Sequence, residues 1–207
     1  MAKYRSTTFG SISGKHGTAV AAIMNGKPVI KVFTPPSNPN SPGQQSQRLK
    51  FGIVATALNP LRNIVNIGFG GRLGYSKATS LALRNAVTGI YPDLSIDFSK
   101  VLVASGSLPQ SPNASINVVA GTGAQITWDV ATWSNGSVDD LVHIGFLNPE
   151  THMPVFVQAQ AIRQEGAITA ELPVIWRGAT IHAWLFFTSN DYQLSSVSQY
   201  LGTIVPV

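Results

Sequence analysis

From Tyr91 onward the chain breaks into short β-rich runs separated by turn residues: LSIDF, KVLVASG, ASINVVA, AQITWDV, DLVHIGFL, VFVQAQAI, AITAEL, TIHAWLFFTS and SVSQYLGTIV. Short segments rich in β-prone residues, recurring roughly every 8 to 14 residues, predict an antiparallel sandwich or barrel. We read a β-sandwich over residues 93–207.

The first 92 residues have another texture. AVAAIM, Asn25-Gly26 and KPVIKVF form the strongest short hairpin signal, two β-prone runs around a two-residue turn. Upstream, FGSISGKHG suits an extended arm. Downstream, TPPSNPNSPG holds four prolines in ten residues and is a connector. Ser41-Pro42-Gly43-Gln44 has the order of a helix start, with a capping serine, proline at the first helical position and glutamine three residues on. The helix should end near Leu58, before Asn59-Pro60, with a shorter helical segment from Leu61 to Ile67. A second helix is expected over Ser76 to Val87, after the glycine-rich turn GFGGRLG. The expected class is α+β, mainly β: an N-terminal arm and β-hairpin, two helices, then the sandwich, with a boundary at residue 92.

Charge follows the same division. Residues 1–92 carry eleven Lys and Arg and no acid, whereas residues 93–207 carry nine acids and three bases. A chain with one positive and one negative end attracts a polyanion or the opposite end of another copy. Only 11% of residues are charged, against roughly 25% in ordinary soluble domains, which fits a surface covered by neighbours. Without cysteine there is no disulfide framework, thiolate metal site or cysteine nucleophile. No apolar run approaches the roughly 18 residues of a membrane span, and MAKYRSTTFGSISGKHG lacks the apolar stretch of a secretory signal. A soluble protein is expected.

Candidate catalytic groups do not converge. His16, His143, His152 and His182 stand in no metal-ligand spacing, and Asp139-Asp140 with His143 reads as a turn leading into a strand. In GFGGRLG, Leu73 holds the place of the third glycine of a dinucleotide loop, so an interhelical turn is the better reading. No serine lies in a nucleophile elbow. We expect no catalytic, cofactor-binding or metal site and no enzyme. Exposed Trp128, Trp133, Trp176 or Trp184 would suit carbohydrate, but sandwich tryptophans more often fill the core.

Several strings carry a resemblance: SGKHGTAV, NPNSPGQQSQRLKF, NIGF, and LRNAVTGIYPDLSIDFSKVLVASGSLP. They resemble a family of proteins of unknown function, about 200 residues long, from Bacteroidota and phage-like gene sets. That family's hairpin usually has W-x-G at its turn, where this chain has Met24-Asn25-Gly26. The final two β-runs, joined by SNDYQLS, resemble the closing hairpin of an immunoglobulin or fibronectin type III domain. The resemblance implies the layout of an assembly subunit and brings no cofactor.

The leading expectation is therefore a non-enzymatic structural protein that assembles head to tail, as a virion component or an extracellular filament or lattice. Lys15, Lys27, Lys31, Arg48 and Lys50 would face Asp139, Asp140, Glu150 and Glu165 of the next copy. The alternative is a packaging or scaffold protein whose bases meet nucleic-acid phosphates.

Overall fold

The chain divides into two compact units, Met1–Ser41 and Pro42–Val207, in a computed structural model. The structure describes residues 2–3, 12–24, 26–35, 38, 40–71, 73–119, 121, 123–130 and 135–207. The division falls well before residue 92, so the change of charge does not mark the boundary of a folded unit.

The N-terminal unit is an antiparallel sheet of β1 (Ala2–Lys3), β2 (Gly14–His16), β3 (Ala19–Met24) and β4 (Lys27–Val32), in the order β1-β4-β3-β2. The expected hairpin is β3–β4, with Met24 opposite Lys27 across the turn. Of the described residues here, only Ala21 and Val29 are buried.

The second unit has three layers. A three-stranded sheet holds β7 (Ser115–Val118), β8 (Gly123–Thr127) and β11 (Ala167–Glu171), in the order β11-β8-β7. A four-stranded sheet holds β9 (Leu141–Asn148), β10 (Met153–Ile162), β12 (Ile181–Thr188) and β13 (Gln199–Ile204), in the order β10-β9-β12-β13. Consecutive strands switch sheets between β8 and β9, β10 and β11, and β11 and β12. This is a seven-stranded sandwich of the immunoglobulin-like kind. The helices α1 (Pro42–Leu58), α2 (Arg62–Gly68) and α3 (Gly74–Asn85) form the third layer.

The two central strands explain the layering. On β9 and β12, Val142, Ile144, Phe146, Ile181, Ala183, Leu185 and Phe187 face the core between the sheets. Their alternate neighbours Leu147, Trp184 and Phe186 belong to a second core with Leu58, Ile64 and Val65 of the helices. Strands buried on both faces lose their polar alternation, which is why LVHIGFLN and IHAWLFFT read as nearly continuous apolar runs. Each large apolar side chain buried on the outer face contributes about 1.5–3 kcal/mol, so the helices are part of the sandwich unit.

Two expected strands are different. LSIDF supplies β6 (Asp93–Ile96), which pairs only with β5 (Val87–Ile90) in a separate ribbon. The segment KVLVASG is a buried strut, not a strand: the Trp184 indole donates to the Val101 carbonyl at 3.1 Å, and Val103 N–H donates to Ser198 Oγ at 3.0 Å. The second main helix runs over Gly74–Asn85, and α2 is a third helix where only a short continuation was expected.

Candidate functional site

Side chains alternate across a strand, and paired residues of an antiparallel ladder share a face. Lys15 pairs with Val20 and Val20 pairs with Lys31, which puts the two lysines in one row across β2, β3 and β4. Lys27, four residues before Lys31 on β4, lies on that face too. All three are exposed, and Lys15 Nζ stands 4.0 Å from the centre of the Phe33 ring. Since no acid precedes Asp93 in the sequence, the lysines have no carboxylate within their own unit. The opposite face carries Ala19, Ala21, Ile23, Pro28, Ile30 and Val32, and it leaves Ile23 57% and Val32 75% exposed. Three of the expected contact residues thus share one face of a small sheet, together with Val20, Ala22, Met24 and Val29.

Arg48 and Lys50 lie on α1, in the other unit. On the later helices, the Arg62 guanidinium is 4.2 Å from the Tyr75 ring centre, and Arg84 donates to Ser80 Oγ at 3.0 Å. Arg72 lies outside the described residues.

The acids expected to face the bases of a next copy do not all lie together. Asp139 and Glu165 sit at the same end of the sandwich, on adjoining turns joined by a 2.9 Å bond from Gln164 N–H to the Val138 carbonyl. Glu150 lies in the β9–β10 turn at the opposite end, roughly 25 Å away along an eight-residue strand. Asp140 is a correction, because it is 3% exposed and ion-paired with the fully buried Arg163 (Oδ2 to Nε, 3.1 Å). Arg163 also donates to the Pro109 carbonyl at 2.9 Å and lies 3.8 Å from the centre of the Phe187 ring. Burial holds its guanidinium below its ordinary pKa, and Asp140 opposes that shift. A buried arginine requires such a carboxylate, so Asp140 is committed inside the fold.

Two of the remaining candidates, His143 and His182, are held by packing and hydrogen bonds. His143 is fully buried, stacked on Phe186 with its Nε2 2.9 Å from Thr188 Oγ1, and burial lowers its pKa to about 4. It is neutral at physiological pH and has no carboxylate beside it among the described residues. His182 contacts the Tyr200 hydroxyl at 2.7 Å, and burial pushes the imidazole pKa down and the phenol pKa up. Both shifts keep the pair uncharged. Among the described residues no group of three His, Asp or Glu side chains could hold a metal. Trp128, Trp176 and Trp184 are buried, which removes them as a carbohydrate platform, and Trp133 lies outside the described residues.

The glycine-rich turn has a packing explanation. Gly68 ends α2 against the strut, where a Cβ would collide with Ala104 and the Val103 carbonyl. Its own carbonyl accepts from Ser195 Oγ at 2.8 Å. Sequence reasoning missed an apolar groove of about 460 Å³ between α1, Ile96, Phe98 and the β9–β10 turn. The available signal was Gly52, a glycine inside a helix.

A family model matches residues 11–202, and its description is "Family of unknown function (DUF6266)". No curated protein matches the chain. Among solved structures, the fn3 domain of human collagen alpha-1(XX) chain aligns at 12% identity and TM-score 0.36, covering 50% of this chain and 87% of that one. The fn3 domain of human contactin 1 aligns at 12% identity and TM-score 0.27, covering 49% and 77%. The strand order carries the fold assignment independently of these likenesses.

Proposed function

The chain belongs to the DUF6266 family of unknown function, and from that premise we propose that it is a non-enzymatic structural protein that assembles through its N-terminal unit. The observation that carries this reading is the state of that unit. It spans 41 residues, buries only Ala21 and Val29 among those described, and exposes Ile23, Met24, Val32 and Phe33. A sheet this small, with apolar surface on display and no cysteine for a disulfide, would gain its stability from something it binds. Its lysine face fits a negatively charged partner surface, and the most acidic stretch of sequence available is the second half of another copy.

The product would be a virion component or an extracellular filament or lattice, with copies joined head to tail. A setting in Bacteroidota or their phages, implied by the sequence resemblance, agrees with this. Among the described residues no helix is long and apolar enough to cross a membrane.

One observation favours a second reading. The acid-free lysine face would meet phosphates equally well, as in a packaging or scaffold protein. Light scattering on the purified chain at low and high salt, with and without nuclease, separates the two. Large nuclease-resistant particles support self-assembly. A monomer that grows only when nucleic acid is added supports packaging, with log affinity falling about 0.9 per log unit of salt for each phosphate contacted.

A further inference from the structure

The groove beside α1 is apolar and open. Leu49, Gly52 and Ile53 of α1 form one wall, Ile96 and Phe98 another, and Pro149 lies at its end. Gly52 is the informative residue. Glycine inside a helix costs about 1 kcal/mol relative to alanine; Gly43, in the first turn of the same helix, also has open space around it, whereas at other positions close packing requires the residue. Gly145 is one such position, because a Cβ there would stand 3.1 Å from Ile64 Cδ1. At Gly52 a Cβ would meet nothing within 4 Å. Packing does not require glycine here, and any larger side chain would extend into the groove.

The β3–β4 tip has the complementary character. Hairpin tips are ordinarily polar, yet Ile23 and Met24 are 57% and 45% exposed beside the turn, and methionine adapts readily to an apolar groove. Lys27 stands opposite Met24. At the groove, Glu150 follows Pro149, is exposed, and makes no ion pair among the described residues. An apolar tip with a lysine beside it thus matches an apolar groove whose lining residue Pro149 is followed in the chain by an exposed glutamate.

We propose that this groove receives the β3–β4 tip of a second copy, with Lys27 of one chain meeting Glu150 of the other. The proposal rests on the self-assembly reading and gives it a specific contact. Each chain carries one tip and one groove, so the contact is heterologous and propagates into a ring or a filament.

The absence of cysteine from the chain permits a clean test in the full-length protein. A Met24→Cys variant is mixed with a Thr56→Cys variant, Thr56 being an exposed residue of the groove, and oxidised gently. A disulfide requires the two Cα atoms to come within about 7 Å. The cross-linked dimer should exceed, by about ten-fold, that formed between Met24→Cys and Arg177→Cys, because docking raises the local thiol concentration. Adding Gly52→Leu to the Thr56→Cys chain should return the yield to the Arg177 level. Equal yields at positions 56 and 177, with wild-type particles still large by light scattering, overturn the groove and leave self-assembly standing. Equal yields with a monomeric wild type overturn both. A Met24→Cys/Thr56→Cys double variant that closes only within one chain also overturns the proposal.

Discussion

The two units solve opposite problems. Pro42–Val207 has two cores, one between its sheets and one under its helices, and it pairs its buried arginine internally. The sheet before Pro42 buries two side chains among those described and carries lysines that no acid of its own segment can neutralise. On the proposed reading, one unit is complete in itself and the other is completed by a partner. Substitutions in the larger unit should therefore act on stability, and those in the smaller unit on association.

The sharpest contrast comes from cutting the buried pair. Arg163→Ala leaves Asp140 charged and buried and should destabilise the second unit by about 3–5 kcal/mol in urea unfolding. Lys31→Ala on the exposed face should change stability by less than about 0.5 kcal/mol. Equal losses at the two sites would abolish the distinction between the units.

Acid should attack the same unit. His143 has a folded pKa of about 4 against an ordinary 6.5, so between these values the unfolded chain binds the proton that the folded chain refuses. Stability is then full above about pH 6.5 and falls by up to about 3 kcal/mol as pH drops to about 4. His143→Gln should flatten this part of the pH profile, and an unchanged profile would contradict the buried neutral imidazole.

Two glycines on opposite sides of the helix–sheet contact give smaller effects of opposite sign. Gly145→Ala crowds Ile64 and should cost about 1 kcal/mol or more. Gly52→Ala meets open space and should stabilise the helix by about 0.5–1 kcal/mol. Thermal unfolding reads both, and a destabilising Gly52→Ala would mean that the groove floor is packed.

The elements with local signals were legible in the sequence. The Asn-Gly turn located β3 and β4, and Ser41-Pro42 with Asn59-Pro60 bracketed α1. Seven of the nine β-runs became sandwich strands because their turns and β-branched residues agree. What escaped was long-range. Residues 100–106 have the composition of a strand but bond to Trp184, Ser198, Gly68 and Ser195. Asp140 looks like any turn acid until Arg163, 23 residues later, folds back onto it. The unbroken apolar character of LVHIGFLN and IHAWLFFT was the visible sign that something covers the sandwich on both sides. At the candidate contact, the shared face of Lys15, Lys27 and Lys31 follows from register once the hairpin is placed. The separation of Glu150 from Asp139 and Glu165 follows only from the complete sandwich.

On the proposed reading, residues before Pro42 drive assembly while the rest folds alone. The most direct test is the particle mass, by light scattering after nuclease treatment, of the full chain against a chain of residues 42–207. Large particles are expected from the full chain, and a folded monomer with cooperative unfolding from the shorter one. Particles of equal size from both would contradict this reading.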